Sequence, residues 1–396
     1  MDWFLECSDC GTQAEPIGLP TVCTACGRPW LVRYPDRIHA LADRGLTAAH
    51  GSMWGYRSFL PLTEREKPVT LGEGDTPLFK APRLAKHLGL DRIWIKDEAV
   101  NPTGSFKARG LSAAITRATL AGVTRFVVPT AGNAGVASAA YAARAGASVR
   151  VYAPQTTPKT ILAQIVAFGA DLVLLEGHIG DCGKAARAWA EETGATDLST
   201  LKEPYRIEGK KTLGLEIASA LGWGFPDVIL YPTGGGTGLI GMWKAFAELR
   251  AAGWVSGSLP RMYSVQSTGC APIVRAFEAG KETAEAWVDP WTIASGLRVP
   301  GPIGDKLMLR ILRETSGGAV AIPDEEMTRE AAAATILEGV DFSPEGGASV
   351  AAARALALKG EIGTRDRVIV FNTGAGWLYR DPAELPAEGG RGILQR

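Results

Sequence analysis

One lysine stands out for its setting. Lys107 closes the run Asn101-Pro-Thr103-Gly-Ser-Phe106-Lys107, which follows a short apolar strand at Trp94-Ile95 and opens a helix at Ala108-Arg109-Gly110. The positive end of a helix dipole and partial burial both disfavour an ammonium, so an amine placed there tends toward neutrality. A neutral lysine amine is the nucleophile that forms a Schiff base with a carbonyl. Taken alone, the same lysine reads more readily as an exposed side chain at a helix start.

Three other segments follow apolar runs, where the ligands of a parallel sheet gather. Pro129-Thr130-Ala131-Gly132-Asn133-Ala134-Gly135 offers small residues, helix-start N–H groups suited to a carboxylate, and an amide for a ring hydroxyl. Pro232-Thr233-Gly234-Gly235-Gly236-Thr237-Gly238 carries enough glycine for N–H groups to converge on one spot, as in a phosphate cradle. It has neither the Gly-Lys-Ser/Thr ending of a Walker loop nor GxGxxG spacing. Asn372-Thr373-Gly374-Ala375-Gly376 sets a hydroxyl among glycines. A nucleophilic lysine, a carboxylate loop, a phosphate loop and a hydroxyl-bearing loop are together the parts for pyridoxal 5′-phosphate acting on an amino acid.

A separate constellation lies at the front. Cys7-x2-Cys10 and Cys23-x2-Cys26 are two CxxC knuckles, which bring four thiolates into the closed tetrahedron of structural zinc. Four cysteines leave no open coordination position, so a catalytic zinc is not expected. Cys182 and Cys270 read as buried thiols. The histidines His39, His50, His87 and His178 do not cluster, Asp197, Asp305 and Glu345 read as structural or exposed, and Tyr205 reads as packing.

The elements that must position these groups alternate. Apolar strand-like runs at Arg125–Pro129, Ser148–Ala153, Asp171–Leu175, Asp227–Tyr231, Arg261–Gln266 and Arg367–Phe371 are interleaved with helical stretches at Gly135–Gly146, Lys159–Phe168, Leu239–Ala252, Glu325–Glu338 and Gly346–Leu358. That alternation predicts an α/β fold with parallel sheets covered by helices. Residues 27–70, with Pro29, Pro35, Pro61 and Pro68, read as an irregular connector. At 396 residues the chain suits two or three domains. Its 42 basic residues balance 42 acidic ones, which argues against a nucleic-acid or membrane-surface partner. A 46% hydrophobic content excludes disorder, no run of 18 apolar residues is present, and the start Met1-Asp2-Trp3 lacks a signal-peptide pattern. The expectation is a cytoplasmic enzyme with a small amino-acid substrate, a homodimer by default.

On these motifs the chain resembles the tryptophan-synthase-β-like class (fold type II) of pyridoxal-phosphate enzymes, nearest to its threonine synthases and next to threonine and serine dehydratases. The phrase Asn101–Lys107, the stretch Glu208-Gly-Lys210-Lys211-Thr212 with Glu216, and Thr373–Gly376 carry the likeness over about residues 70 to 382, and the cysteine knuckles ahead of that span add to it. The resemblance implies a knuckle module at 1–35, a large cofactor-binding domain at 36–108 and 206–396, and a small domain at 109–205. It implies that Lys107 holds the cofactor and moves protons, with Phe106 beside the ring. Asn133 would bond the ring hydroxyl, and Gly234, Gly235, Gly236, Thr237 and Gly238 would hold the phosphate. Thr373 would face the pyridine nitrogen, while Thr130, Ala131 and Gly132 would frame the substrate carboxylate. The implied reaction turns O-phospho-L-homoserine and water into L-threonine and phosphate. The substrate phosphate then needs its own anion site, for which Arg109 and Lys211 are the expected cations, Asn101 and Thr103 the neutral donors, and Arg298 a rival. Ala108, the hydroxyl-poor Ala131 and Ala134-Gly135, and the dehydratase-like glycine loop depart from the threonine synthase pattern. A threonine or serine ammonia-lyase, or another β/γ-elimination or replacement enzyme, therefore stays open. From a different class, so does a non-catalytic zinc-knuckle binding protein, which zero net charge and Lys107 speak against.

Overall fold

The structure, a computed structural model, describes residues 3–34 and 51–380. Pro35, His39, His50 and the beginning of the expected large domain lie outside the described residues. Three short strands open the chain: β1 (Phe4–Cys7), β2 (Gln13–Ala14) and β3 (Trp30–Arg33), antiparallel in the order β2-β1-β3. The last falls where the sequence suggests an irregular connector. Trp30, Leu31 and Val32 are all buried, so pairing with β1 and core contact together outweigh the adjacent Pro29.

The chain continues through β4 (Leu78–Lys80), β5 (Ile93–Asp97), β6 (Arg125–Pro129), β7 (Ser148–Pro154), β8 (Asp171–Leu175), β9 (Thr196–Asp197), β10 (Val228–Pro232), β11 (Arg261–Ser267), β12 (Gly318–Ile322) and β13 (Val368–Asn372). Two sheets result, in the orders β12-β11-β10-β13-β5-β4 and β8-β7-β6-β9. Every pairing within them is parallel except the edge pair β4–β5. The α/β class with parallel sheets is thus as expected. In the larger sheet β10 and β13 are buried at every residue, because helices cover both faces of a parallel sheet; their continuous apolar runs are the sequence signature of that burial.

One helix absent from the sequence reading holds the centre. Tyr205–Ala220 is buried from Tyr205 to Ala218, charged residues included. It packs against the helices Lys107–Leu120 and Thr237–Ala251. Gly209 permits the first contact, since a Cβ there would collide with the carbonyl oxygen of Arg109. The front module is bolted onto this core: Arg28 pairs with Asp305 at 2.6 Å, Lys306 with Asp9 at 2.7 Å, and Arg310 donates to the Ser8 carbonyl at 3.1 Å. No helix among the described residues is long and apolar enough to cross a membrane.

Candidate active site

The four chemistry-bearing segments follow β5, β6, β10 and β13, and they meet around one cleft of about 840 Å³. Its walls include Phe106 and Lys107, then Thr130, Ala131, Gly132 and Asn133, then Gly234 through Gly238, then Thr373. The strand-end rule for parallel sheets thus brings together residues far apart in sequence.

Lys107 is the first residue of the helix Lys107–Leu120, with Phe106 at the cap. The residue keeps some surface where it opens on the cleft, but its surroundings are dense with protein. Burial, reinforced by the nearby Arg206 cation and opposed by Glu345, pushes its amine down to about 7. A substantial fraction is then neutral at physiological pH, as a carbonyl-directed nucleophile requires. Phe106 lies under the amine, 4.4 Å from ring centre to Nζ, and its carbonyl accepts a hydrogen bond from Lys210. Lys210 is wholly buried, and burial together with Lys107 and Arg206 holds its amine well below the ordinary lysine value.

The loop after β6 is tied by its own threonine. Thr130 Oγ1 accepts from the N–H of Gly132 at 3.0 Å and of Gly135 at 3.2 Å, and donates to the Gly132 carbonyl at 2.9 Å. The hydroxyl therefore shapes the loop and holds the Gly135 N–H, and an anion at this helix start would meet the N–H groups before it, those of Asn133 and Ala134. Asn133 Nδ2 donates to the Tyr379 hydroxyl at 3.3 Å, and Asn133 Oδ1 is buried without a partner.

In the glycine loop the need for glycine comes from the close approach of neighbouring protein. Gly236 caps the helix Thr237–Ala251 with φ +83°, and a Cβ there would collide with Met308 Sδ. A Cβ at Gly238 would collide with the Tyr231 hydroxyl. Protein thus presses the backbone toward the cleft at a helix N-terminus, the usual seat of a phosphate. Thr373 follows β13, is buried, and is held to the lysine segment because Phe106 N–H donates to its carbonyl at 3.0 Å. A nearly neutral lysine, a glycine cradle at a helix start and an orphaned buried amide oxygen fit an aldehyde-bearing, phosphorylated ring such as pyridoxal 5′-phosphate.

Four expected substrate residues lie elsewhere. Arg109 is wholly buried and donates to Glu98, Glu216, Thr76 and Thr212, closing a network with Lys96. Lys211 is wholly buried between Glu208 at 2.7 Å and Glu248 at 2.9 Å. Asn101 donates to Glu98 and accepts from Gly74 N–H, and Thr103 is buried away from the cleft lining. These positions serve the scaffold, because each cation already has buried carboxylates as neighbours. Arg298, the rival, does line the cleft, half-buried, with its guanidinium 5.5 Å from the Trp291 ring.

Two cleft residues escaped the sequence reading. Glu345, expected to be structural or exposed, is buried on the cleft wall, and Tyr379 donates to it at 2.8 Å. The acid at the start of the Gly346–Leu358 helical pattern was visible, but nothing local marked it as facing the lysine. Apart from the cleft, Cys7, Cys10, Cys23 and Cys26 place their Sγ atoms within 4.8 Å of one another, with no disulfide.

Comparison with known proteins agrees with this arrangement. Residues 69–374 match the family model described as pyridoxal-phosphate dependent enzyme. A threonine synthase of Methanosarcina acetivorans is 34% identical, over 96% of this chain and 93% of its own length. One from Methanocaldococcus jannaschii is 30% identical over 97% of this chain and 95% of its own. Maize serine racemase shares the fold at a TM-score of 0.67 and 21% identity, covering 78% of this chain and 89% of that one. With its lysine, glycine loop and strand-end loops gathered in one cleft, the chain belongs to the family of pyridoxal-phosphate-dependent enzymes.

Proposed function

We propose that this enzyme is a threonine synthase, which converts O-phospho-L-homoserine and water into L-threonine and phosphate. The observation that carries the reading is the likeness to threonine synthases over 96% and 97% of the chain. When bound, pyridoxal phosphate supplies an electron sink that acidifies the hydrogens of an attached amino acid. The chain's own groups do the rest. Lys107 offers a neutral amine as anchor and then holds and moves protons at Nζ. Gly234 to Gly238 and the helix behind them hold the cofactor phosphate, and Asn133 orients the ring through its hydroxyl. Thr373 would offer the ring nitrogen a neutral hydroxyl, which does not enforce a positive charge. Thr130, Ala131 and Gly132 shape the seat of the substrate carboxylate, and Arg298 meets the substrate phosphate.

The test is product analysis. O-phospho-L-homoserine giving threonine and phosphate in equal amounts supports the reading. Oxobutyrate formed from threonine, with no phosphate released from O-phospho-L-homoserine, would instead favour an ammonia-lyase. Arg298→Met should raise KM for O-phospho-L-homoserine by roughly 10- to 100-fold, the worth of a charge-assisted contact.

The front module is assigned one structural zinc. Its Sγ separations of 3.3, 3.5 and 3.7 Å approach the edge of about 3.8 Å that a tetrahedron with ~2.3 Å zinc–sulfur bonds requires. Six free cysteines suit a reducing cytoplasm, and a two-fold homodimer is the assembly assigned. The domain division at 109 and 205 is supported by β6 to β9, which form a sheet of their own.

A further inference from the structure

Tyr379 closes the turn Gly376–Tyr379 and lines the cleft together with Asn133. The turn is clamped by one residue, Asp341. Gly376 N–H donates to the Asp341 carbonyl at 3.2 Å, Trp377 N–H donates to Asp341 Oδ2 at 2.8 Å, and Arg380 pairs with Oδ1. A Cβ at Gly376 would collide with that carboxylate, so glycine is what lets the clamp close. Four positions further on, Glu345 accepts the Tyr379 hydroxyl proton at 2.8 Å. One short segment thus holds both the backbone of the turn and the tip of its tyrosine.

The direction of the hydrogen bonds at that tip is forced. Glu345 is 4% exposed, and its Oε1 also accepts from Gly296 N–H at 2.8 Å. That oxygen is therefore an acceptor, whether the carboxyl is charged or carries a proton on Oε2. A phenol has a single proton, and here it points at Oε1, which leaves the phenol oxygen to accept. Its donor is Asn133 Nδ2 at 3.3 Å. An amide turned the other way would set Oδ1 against the phenol oxygen, two acceptors face to face. The bonds therefore run one way, from Asn133 through Tyr379 to Glu345, and each link depends on the next.

The amide is held, but it is not used up. Asn133 Oδ1 is buried and has no partner, a cost that a ligand group can relieve. An ideal Cβ at Gly374 would lie 3.2 Å from Nδ2, so backbone packs close to the amide as well. A binding group fixed in this way before its ligand arrives loses little freedom on binding.

We propose that Tyr379 is a positioning residue that fixes the rotation of the Asn133 amide, and through it the place of the proton on the cofactor's ring hydroxyl; this rests on the placement of Asn133 at that hydroxyl. An amide presents a donor at one end and an acceptor at the other, so a half-turn exchanges what the hydroxyl meets. Opposite a fixed amide the hydroxyl proton has one preferred seat. Opposite a turning amide it has two.

The experiment compares wild type, Asn133→Ala, Tyr379→Phe, the double variant, Glu345→Gln and Glu345→Ala. Two readouts need no turnover. In the holoenzymes, the ratio of the cofactor's two absorbance bands reports which atom holds the ring-hydroxyl proton. After cofactor removal, titration with pyridoxal phosphate gives the dissociation constant. Asn133→Ala is expected to change both. Tyr379→Phe, which removes one oxygen, should shift the ratio and weaken affinity by roughly 2- to 10-fold, the worth of one ordinary hydrogen bond. The double variant should match Asn133→Ala, because a tyrosine that acts through the amide has nothing to act on once the amide is gone. Glu345→Gln still offers an acceptor to both donors and should resemble wild type. Glu345→Ala frees the phenol proton to turn and should resemble Tyr379→Phe. A Tyr379→Phe enzyme with the wild-type ratio and affinity overturns the proposal. So do losses that multiply in the double variant, and so does a Glu345→Gln enzyme indistinguishable from Glu345→Ala. If Asn133→Ala itself leaves ratio and affinity unchanged, the placement of Asn133 at the ring hydroxyl fails and the proposal with it; a changed Asn133→Ala beside an unchanged Tyr379→Phe removes the proposal alone.

Discussion

Replacing Arg109 by Met separates two roles that its place beside Lys107 in the sequence confuses. The guanidinium donates to Glu98 Oε2 at 2.6 Å and Oε1 at 2.8 Å, to Glu216 Oε1 at 2.5 Å and Oε2 at 2.7 Å, and to Thr76 and Thr212 at 2.9 Å. Methionine fills similar volume but leaves two buried carboxylates to share Lys96, which reaches Glu216 at 2.6 Å and Glu98 only at 4.0 Å. Stranding one buried charge in this way costs about 3–5 kcal/mol, roughly a hundred- to several-thousand-fold in the folding equilibrium. The pH dependence carries the signature. In the wild type, Arg109 and Lys96 overcome burial and hold Glu216 down to about 2, and Glu98 is held low by Arg109 as well. Their contribution is complete above the ordinary glutamate range and is lost as pH falls toward 2. In the variant, burial without the cation raises the stranded carboxyl, so protonation favours the folded state. The gap between the two proteins should therefore narrow between pH 7 and pH 5. Urea unfolding of the cofactor-free proteins at both pH values, followed by tryptophan fluorescence, measures it. A variant that unfolds at the wild-type urea concentration and differs only in a higher substrate KM would show that Arg109 binds substrate and that the scaffold role is wrong.

Three further outcomes are expected. The rate at which cofactor-free protein captures pyridoxal phosphate on Lys107 should rise about tenfold per pH unit up to a midpoint near 7 and then flatten, since burial and Arg206 bring the amine to about 7; a rise continuing past pH 9 would contradict this. Gly236→Ala should weaken cofactor phosphate binding by roughly tenfold or more in an absorbance titration, because the new Cβ meets Met308 at a positive φ; unchanged affinity would mean that the loop does not seat the phosphate. Elemental analysis should find one zinc per chain, and Cys23→Ser should lose it and lower the thermal midpoint by several degrees; a metal-free wild type of equal stability would remove the zinc assignment.

Much of the site could be read from the sequence because its parts are local. Each loop follows an apolar run, and a strand end plus small residues is a short-range pattern, so the common location of Lys107, Asn133, Gly234 to Gly238 and Thr373 is legible in the sequence. What escaped was long-range. Arg109 and Lys211 carry the charge that an anion site wants, but their partners Glu98, Glu216, Glu208 and Glu248 are identified only by packing. The helix Tyr205–Ala220 shows no apolar stripe because it is enclosed on all sides, with Glu208, Lys211 and Glu216 ion-paired inside the protein, so its periodicity carries no amphipathic signal. Glu345 shares the cleft with Lys107 from more than two hundred positions away, a neighbourhood that only folding creates.

The bolt between the cysteine module and the helix Asp305–Glu314 gives distant chemistry a handle on the cleft. Arg28, the Ser8 carbonyl and the Asp9 carboxylate, which grip that helix, lie within or just beyond the two knuckles, and the helix in turn sets Met308 against Gly236. Whatever steadies the thiols therefore steadies the wall behind the glycine loop. The linkage is reciprocal: any free energy that a bound metal adds to cofactor retention, the cofactor must add to metal retention. An oxidant or chelator acting on the knuckles would then loosen the enzyme's hold on its cofactor without reaching Lys107, and a full complement of cofactor would shield the thiols in return.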